Sequence, residues 1–438
     1  MTRRKKRDKP STPASQRWGV VGLIVFTLLV RGGVLALAPG SMARDPDGYR
    51  YLAENLLERG EYGYGHVPTA YRPPLYPLML TPCVALGPMS NVAIAGLHLV
   101  LGLATVWLVY RLGLRWGLGR WSLPAAALVA CDPILLVQST QVMTETLAVL
   151  LAVLSLGALT SASERPAASR ALIAGACVGL AVLCRSSFLP WALLVAILLP
   201  AVSRPRTERL RRFASFAVGV AVVLAPWAVR NQVHFGRPIP ATTHGGFTLL
   251  LGNNPSFYDY LRSGAWGTVW DADDFNRAWE ARATRSRPAD ELRNDRLAYA
   301  EALQTMRSRP GTFAYSCAVR VGRLWAPLPH QVDPYEGAAR RGARYLVGVW
   351  YLGELILCLI AVYPLFPRER WRQPWQTTWF WGLSMVACFT VVHALYWSNM
   401  RMRAPLIPVV ALGAAAGAAW ILTGAGVRKS SDENGLRP

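Results

Sequence analysis

Between two long apolar runs lies the stretch best equipped for chemistry, Ser41 to Leu80, SMARDPDGYRYLAENLLERGEYGYGHVPTAYRPPLYPLML. Asp47, Arg50, Tyr51 and Glu54 are spaced i, i+3, i+4 and i+7, which puts them on one face if the segment is helical. Tyr49, Leu52 and Leu56 fall on the opposite face, to meet lipid or neighbouring helices. Asp45-Pro46-Asp47 has the composition of a helix start, with Asp45 as the cap and Pro46 at the first helical position. Asp47 then has two readings. It complements the helix dipole, or it is a general base that takes a proton from an attacking hydroxyl. Further along, consecutive prolines stiffen Tyr71-Arg72-Pro73-Pro74-Leu75-Tyr76-Pro77 and hold Arg72 in a defined place. An arginine so presented can fork onto a phosphate, or simply touch lipid head groups.

Later segments add more candidates. Glu145, in Thr144-Glu145-Thr146, and Asp132, before Pro133, bring two carboxyls to one short connection. Helix capping is the plainer reading for both and suits Glu145 better than Asp132. Arg401 and Arg403, in YWSNMRMRAPLIP, stand at the start of the last apolar run, where an anion-binding role is favoured. Pro226-Trp227-Ala-Val-Arg230-Asn231 leads to His244-Gly245-Gly246 and Gly252-Asn253-Asn254-Pro255, whose glycines and asparagines favour tight turns and also let backbone amides approach a ligand. The six histidines have no metal-ligand spacing and no GxSxG occurs, so zinc and Ser-His-Asp hydrolases are poorly supported. The seven cysteines show no CxxC pair and read as small buried apolar residues.

Positioning these residues falls to membrane helices. The chain is 53% hydrophobic with 17 Trp, and apolar runs near bilayer length predict an all-α, polytopic protein of about ten spans. The expected spans are 18–38, 92–112, 122–138, 142–160, 171–184, 187–202, 213–229, 345–365, 376–396 and 403–423. A formal charge of +22 raises the possibility of nucleic acid, but the basic residues sit in short loops between spans instead of one patch. Arginines concentrate in the loops 113–121, 161–170, 203–212 and 366–375, which the positive-inside rule assigns to the cytoplasm together with both termini. A retained first span suits the length of 18–38 better than a cleaved signal peptide. The chain thus divides into a basic tail (1–17), an amino-terminal membrane module (18–230) with an outer loop at 39–91, an extracytoplasmic region (231–343) with amphipathic helices, a carboxy-terminal membrane module (344–424) and a tail (425–438). Within 231–343, Phe313 to Leu328 carries Arg320 and Arg323 and is read as an amphipathic helix in the interface, because an arginine at mid-span is costly.

Taken in order, Asp47-x-x-Arg50-Tyr51, Arg72-Pro73-Pro74-Leu75-Tyr76, Thr144-Glu145, Pro226-Trp227-x-x-Arg230-Asn231, Gly252-Asn253-Asn254-Pro255 and Arg401-x-Arg403-x-Pro405 cover nearly the whole chain. In this order they resemble the polyprenyl-phosphate-dependent membrane glycosyltransferases of the GT-C class. The likeness is to the bacterial group similar to protein O-mannosyltransferases and the lipid A aminoarabinose transferase. The resemblance implies that Asp47 deprotonates an acceptor hydroxyl, which attacks the anomeric carbon with inversion. It implies that Arg72, with Arg401 or Arg403, holds the lipid phosphate, and that Glu145 organises the site or a divalent cation. Arg50, Tyr51, Tyr76, Arg230, Asn231, Asn253 and Asn254 would contact substrate. The chain departs from the group at Gly48, where protein O-mannosyltransferases have the second residue of an Asp-Glu pair, and at Arg72, where the aminoarabinose transferase carries lysine. Such an enzyme takes a polyprenyl-phosphate sugar and a hydroxyl acceptor on protein, lipid or glycan at the outer face of a bacterial cytoplasmic membrane. No nucleotide-binding GxGxxG is present, which agrees with a lipid-linked donor. The rival class is a transporter or flippase of lipid-linked sugars, which would place ionisable residues deep within its spans and repeat its halves.

Overall fold

The computed structural model describes residues 14–38, 40–165, 167–201, 206–264, 269–284, 286–331, 335–365 and 377–424. Most of the basic amino-terminal tail, Arg204, the arginines of 366–375 and the carboxy-terminal tail lie outside the described residues. Each of the ten apolar segments is helical over most of its described part. The first module comprises α1 (Ala14–Leu37), α2 (Tyr49–Arg59), α3 (Leu75–Val84), α4 (Ser90–Arg115), α5 (Ser122–Cys131), α6 (Pro133–Ser139), α7 (Glu145–Glu164), α8 (Ala168–Cys184), α9 (Leu189–Ala201) and α10 (Arg209–Phe235). Five helices of 8 to 21 residues follow: α11 (Gly245–Gly252), α12 (Pro255–Ser263), α13 (Asp273–Arg282), α14 (Pro288–Ser308) and α15 (Pro310–Trp325). The chain then closes with α16 (Ala338–Leu365), α17 (Phe380–Leu395), a 3-10 helix at Met400–Leu406 and α18 (Ile407–Thr423). Among the described residues six helices are long and apolar enough to cross a membrane, or seven if the bent pair α5–α6 is one span. The shorter apolar helices α8, α9 and α17 account for the other three expected segments. The protein is a polytopic helical membrane protein.

Local chemistry explains the main breaks. Asp132 adopts an extended ψ of 124° and ends α5, Pro133 opens α6, and the two axes differ by 49°. Asp132 Oδ1 accepts the Leu135 N–H at 2.9 Å, so Asp132 is the helix cap and Glu145, at the first position of α7, makes no cap bond. This reverses the order expected from sequence. The start of α2 also differs: the helix begins at Tyr49, after Gly48 at φ +72°, although Asp45 Oδ2 still accepts the Tyr51 N–H at 3.0 Å. The left-handed turn is cheap for glycine and strained for other residues, so it lifts Asp47 out of the helix into the preceding loop.

Glycine also sets the tightest helix crossing. A β-carbon on Gly175 of α8 would collide with the Phe216 carbonyl of α10, and one on Gly219 with the Leu172 carbonyl, so the two backbones are in contact. Among the described residues the strands are a hairpin of β1 (Gly63–Tyr64) and β2 (Val67–Pro68), paired antiparallel with Tyr64 opposite Val67. Helix α15 is amphipathic, as expected for 313–328, but Arg320 is fully buried and donates to the carbonyls of Ala394 and Gly252. Backbone acceptors meet the cost of burying this charge.

Candidate active site

The loop before α2 and the stiff segment before α3 meet through Arg72. Its Nη2 donates to Asp47 Oδ1 at 2.9 Å and its Nε to the Asp47 carbonyl at 3.1 Å. This fork fixes the carboxylate, and Oδ2 has no donor among the described residues. Side-chain exposures of 24% for Asp47 and 17% for Arg72 leave the pair reachable from outside. The Arg72 guanidinium lies 5.5 Å from the Tyr49 ring and 5.3 Å from the Tyr71 ring. Burial works against its charge, but Tyr49 and Asp47 outweigh that effect, and its pKa lies above the ordinary arginine value. Arg72 is therefore a permanent cation.

Two further elements converge on Glu145, at the start of α7. Arg185, just after α8, reaches Glu145 Oε1 at 2.8 Å, and Arg401, on the 3-10 helix, reaches the same oxygen at 3.3 Å. Glu145 is fully buried, whereas the Arg401 side chain is 31% exposed and keeps donors free. Tyr49 sits between the two clusters. Burial pushes its hydroxyl up to about 12, with opposing effects of Arg72 and Asp47 and weaker ones of Arg185 and Glu145. Tyr49 packs edge-on against Tyr76, whose hydroxyl lies 2.8 Å from His98 Nε2. His98 Nδ1 is 2.8 Å from the Ser139 carbonyl, which can only accept, so neutral His98 carries its proton on Nδ1 and Tyr76 donates to Nε2.

Other residues singled out in the sequence have different surroundings. Arg50 Nη2 donates to the Met42 carbonyl and to Asn91 Oδ1, while Tyr51 is exposed and stacks on Tyr64. Arg230 binds the carbonyls of Tyr62 and Thr69, and Asn231 binds that of Ile239, so they lash the hairpin and the following strand-like segment to α10. Asn253 donates to the Leu249 and Leu395 carbonyls and accepts from Tyr258; Asn254 caps α12 through Phe257 N–H at 2.8 Å. Both asparagines are buried with their polar atoms engaged by protein. Arg403 parts company with Arg401: it is buried, donates to the Leu324 and Ala326 carbonyls, and lies 4.0 Å over the Tyr351 ring.

Arg185 and Glu291 stand in none of the sequence motifs that mark the other site residues. Glu291, on α14, accepts from Thr69 Oγ1 at 2.6 Å, from Ala70 N–H at 2.9 Å and from Thr243 Oγ1. It joins the segment before Arg72 to the segment after α10, and no local sequence signal announces a tie of this separation. Beside it lies a pocket of ≈ 220 Å³ lined by Tyr64, Tyr71, Phe247, Trp279, Glu291 and Asp295 among others. Burial raises the Asp295 pKa to about 6 against a hydrogen bond from the Gly246 N–H at 2.7 Å. Among the described residues no three His, Cys, Asp or Glu side chains gather as a metal site. Asp47 and Glu145 each give an oxygen to arginine, an arrangement that does not fit a carboxylate-held cation.

Residues 71–229 match the family described as dolichyl-phosphate-mannose-protein mannosyltransferase. Among solved structures, the oligosaccharyltransferase AglB from Archaeoglobus fulgidus, in complex with an inhibitory peptide and a dolichol-phosphate, superposes with a TM-score of 0.54 at 16% identity, over 96% of this chain and 53% of that one. The chain has the GT-C fold. The A. fulgidus oligosaccharyltransferase tethered to an acceptor peptide gives a TM-score of 0.52 at 15% identity, over 96% and 52% of the two chains. ArnT from Cupriavidus metallidurans bound to undecaprenyl phosphate gives 0.41 at 17% identity, over 93% and 80%. The chain therefore spans about half the length of the oligosaccharyltransferases whose GT-C fold it shares. Comparison with curated proteins finds no match.

Proposed function

We propose that this GT-C protein moves a sugar from a polyprenyl-phosphate donor to a hydroxyl acceptor, with inversion at the anomeric carbon. The observation that carries the reading is the Arg72 fork on Asp47, which holds one carboxylate oxygen and leaves Oδ2 open beside a second cluster of cations. In the proposed step Oδ2 takes the acceptor's hydroxyl proton and the acceptor oxygen bonds to the anomeric carbon. The bond from that carbon to the phosphate oxygen breaks, and its electron pair leaves with the polyprenyl phosphate. Arg401, about a third exposed, with Arg72's remaining donors, meets the phosphate charge without titrating. Arg72 thus orients the base as well as serving the leaving group. Supporting a lipid-linked donor, the AglB structure contains a dolichol-phosphate. A groove of ≈ 450 Å³ lined by Leu78, Leu183, Val223, Pro74 and Tyr62 also runs along α3, α8 and α10 to within two residues of Arg72.

The proposed setting is the outer face of a bacterial cytoplasmic membrane, with both termini inside, because arginine crowds the opposite loops. The aromatic and acidic pocket beside Glu291 suits an acceptor carrying hydroxyls. One observation favours a transporter: Arg31, Asp132, Glu354 and Arg403 are all buried within the helix bundle. Transfer from a radiolabelled panel of polyprenyl-phosphate sugars, in membranes holding wild type or Asp47→Asn with insertion checked, separates the readings. Transfer by wild type and near-total loss in the variant is expected. Equal transfer by both would remove Asp47 as the base, and no transfer from any donor would put the transporter first.

A further inference from the structure

A large groove opens at the other end of the bundle. It has a volume of ≈ 1480 Å³ and is walled by α1, α4, α7 and α8. Helix α7 runs from Glu145, in the candidate active site, to Glu164, on the groove's rim. At 1.5 Å per residue the two lie about 25–30 Å apart along the helix. The floor is apolar, with Trp107, Leu154, Ala158, Ile173 and Cys177 among its residues. Gly157, on the same stripe, has open space where a side chain would stand.

The rim is cationic. Arg17, Arg111, Arg115, Arg165 and Arg170 line the groove with one carboxylate, Glu164. Arg115 occupies that carboxylate at 2.7 Å. Arg111 rests over the Trp107 ring at 5.4 Å, and Arg170 donates to Ser161 Oγ at 3.1 Å. Neither neutralises its charge, and Arg17 and Arg165 likewise make no ion pair among the described residues. An apolar slot open to the hydrocarbon, ending in four uncompensated arginines, matches a ligand with an acyl chain and an anionic head. Soluble anions gain nothing from the floor, and zwitterionic lipids bring a cation to the rim.

We propose that this groove is a specific site for an anionic phospholipid, with an acyl chain over Gly157 and the phosphate among Arg111, Arg165 and Arg170. The site is independent of the glycosyl-transfer reading and faces the leaflet opposite the candidate active site. Its cationic rim holds that end of the bundle at the level of the anionic head groups.

The full chain, purified in detergent, is titrated with phosphatidylglycerol or phosphatidylcholine and bound lipid is counted by native mass spectrometry. Wild type is expected to retain one phosphatidylglycerol with at least about ten-fold preference, the scale set by a few basic residues at a lipid head group. Arg111→Gln/Arg165→Gln/Arg170→Gln should abolish the preference. Gly157→Leu, which fills the slot and keeps every charge, should lower occupancy by both lipids, and it serves alone if the triple variant does not fold. Equal retention of the two lipids by wild type, or unchanged binding in Gly157→Leu, would overturn the proposal. So would displacement of the lipid by excess inorganic phosphate, which would mark a plain anion site.

Discussion

Replacing Glu145 by Gln should cost far more stability than replacing Asp47 by Asn, although both changes remove one carboxylate charge beside arginine. Glu145 is fully buried and serves Arg185 at 2.8 Å and Arg401 at 3.3 Å. With an effective dielectric of about 20, the two attractions amount to about 6 and 5 kcal/mol before desolvation is subtracted. Desolvation offsets most of that while the cluster is intact. Once the carboxylate is gone, two guanidiniums face each other with no counter-charge, and the expected loss is about 3–5 kcal/mol. Asp47 is different, because its pair with Arg72 is partly open to solvent at 24% and 17%. An asparagine keeps an acceptor for Arg72, so the loss should be about 1–2 kcal/mol. The assay is thermal unfolding of both variants and wild type in one detergent, with the double variant Glu145→Gln/Arg185→Gln closing a cycle. The double variant should be more stable than Glu145→Gln alone, since it removes one of the stranded charges. Unfolding of Glu145→Gln at the wild-type temperature, or additive losses in the double variant, would refute the argument that the buried carboxylate holds the two arginines together.

Arg403→Ala should lower stability by about 2–4 kcal/mol, because it strands the Leu324 and Ala326 carbonyls and uncovers Tyr351. It should also lower sugar transfer per folded molecule, since the same 3-10 helix presents Arg401, and circular dichroism beside the transfer assay reads both. Gly219→Ala drives a β-carbon into the Leu172 carbonyl and should cost about 1–3 kcal/mol in the same unfolding assay, through separation of α8 and α10. Asp295 has a folded-state pKa raised to about 6 by burial, then by Glu291, against Gly246 and Arg296. Its contribution to stability is therefore full below the ordinary aspartate value of about 4 and is lost as pH rises through about 6. Asp295→Asn should gain on wild type between those values, as midpoints recorded across that pH range would reveal; a difference independent of pH would refute it.

Helix content and membrane character were legible because they depend on composition and length over windows of about twenty residues. The ten segments came out largely helical for that reason, and Arg320 and Arg323 marked 313–328 as amphipathic because an arginine at mid-span is costly. The active-site candidates were legible as types, acid and base in an otherwise apolar chain, but their partners were not. Asp47 and Arg72 are 25 residues apart and meet because two loops dock, while Thr69 and Glu291 meet across 222 residues. Asn253 and Asn254 have the composition of a ligand-binding turn, yet their amides satisfy helix-end carbonyls that would otherwise be buried unpaired. Arg401 and Arg403 looked like one cluster. On a 3-10 helix, with three residues per turn, side chains two apart point about 120° from each other, so one reaches Glu145 and the other Tyr351.

By itself the sequence determined that the chain is a helical membrane protein with a charged, proline-stiffened segment between its first apolar runs, because hydropathy and local stiffness are properties of neighbouring residues. The tertiary structure alone decided which cation holds which carboxylate. It matched Arg72 to Asp47 and brought Arg185 and Arg401 onto Glu145, because each pair forms where elements distant in the chain pack together, and attraction between charges acts through space with no regard to sequence separation.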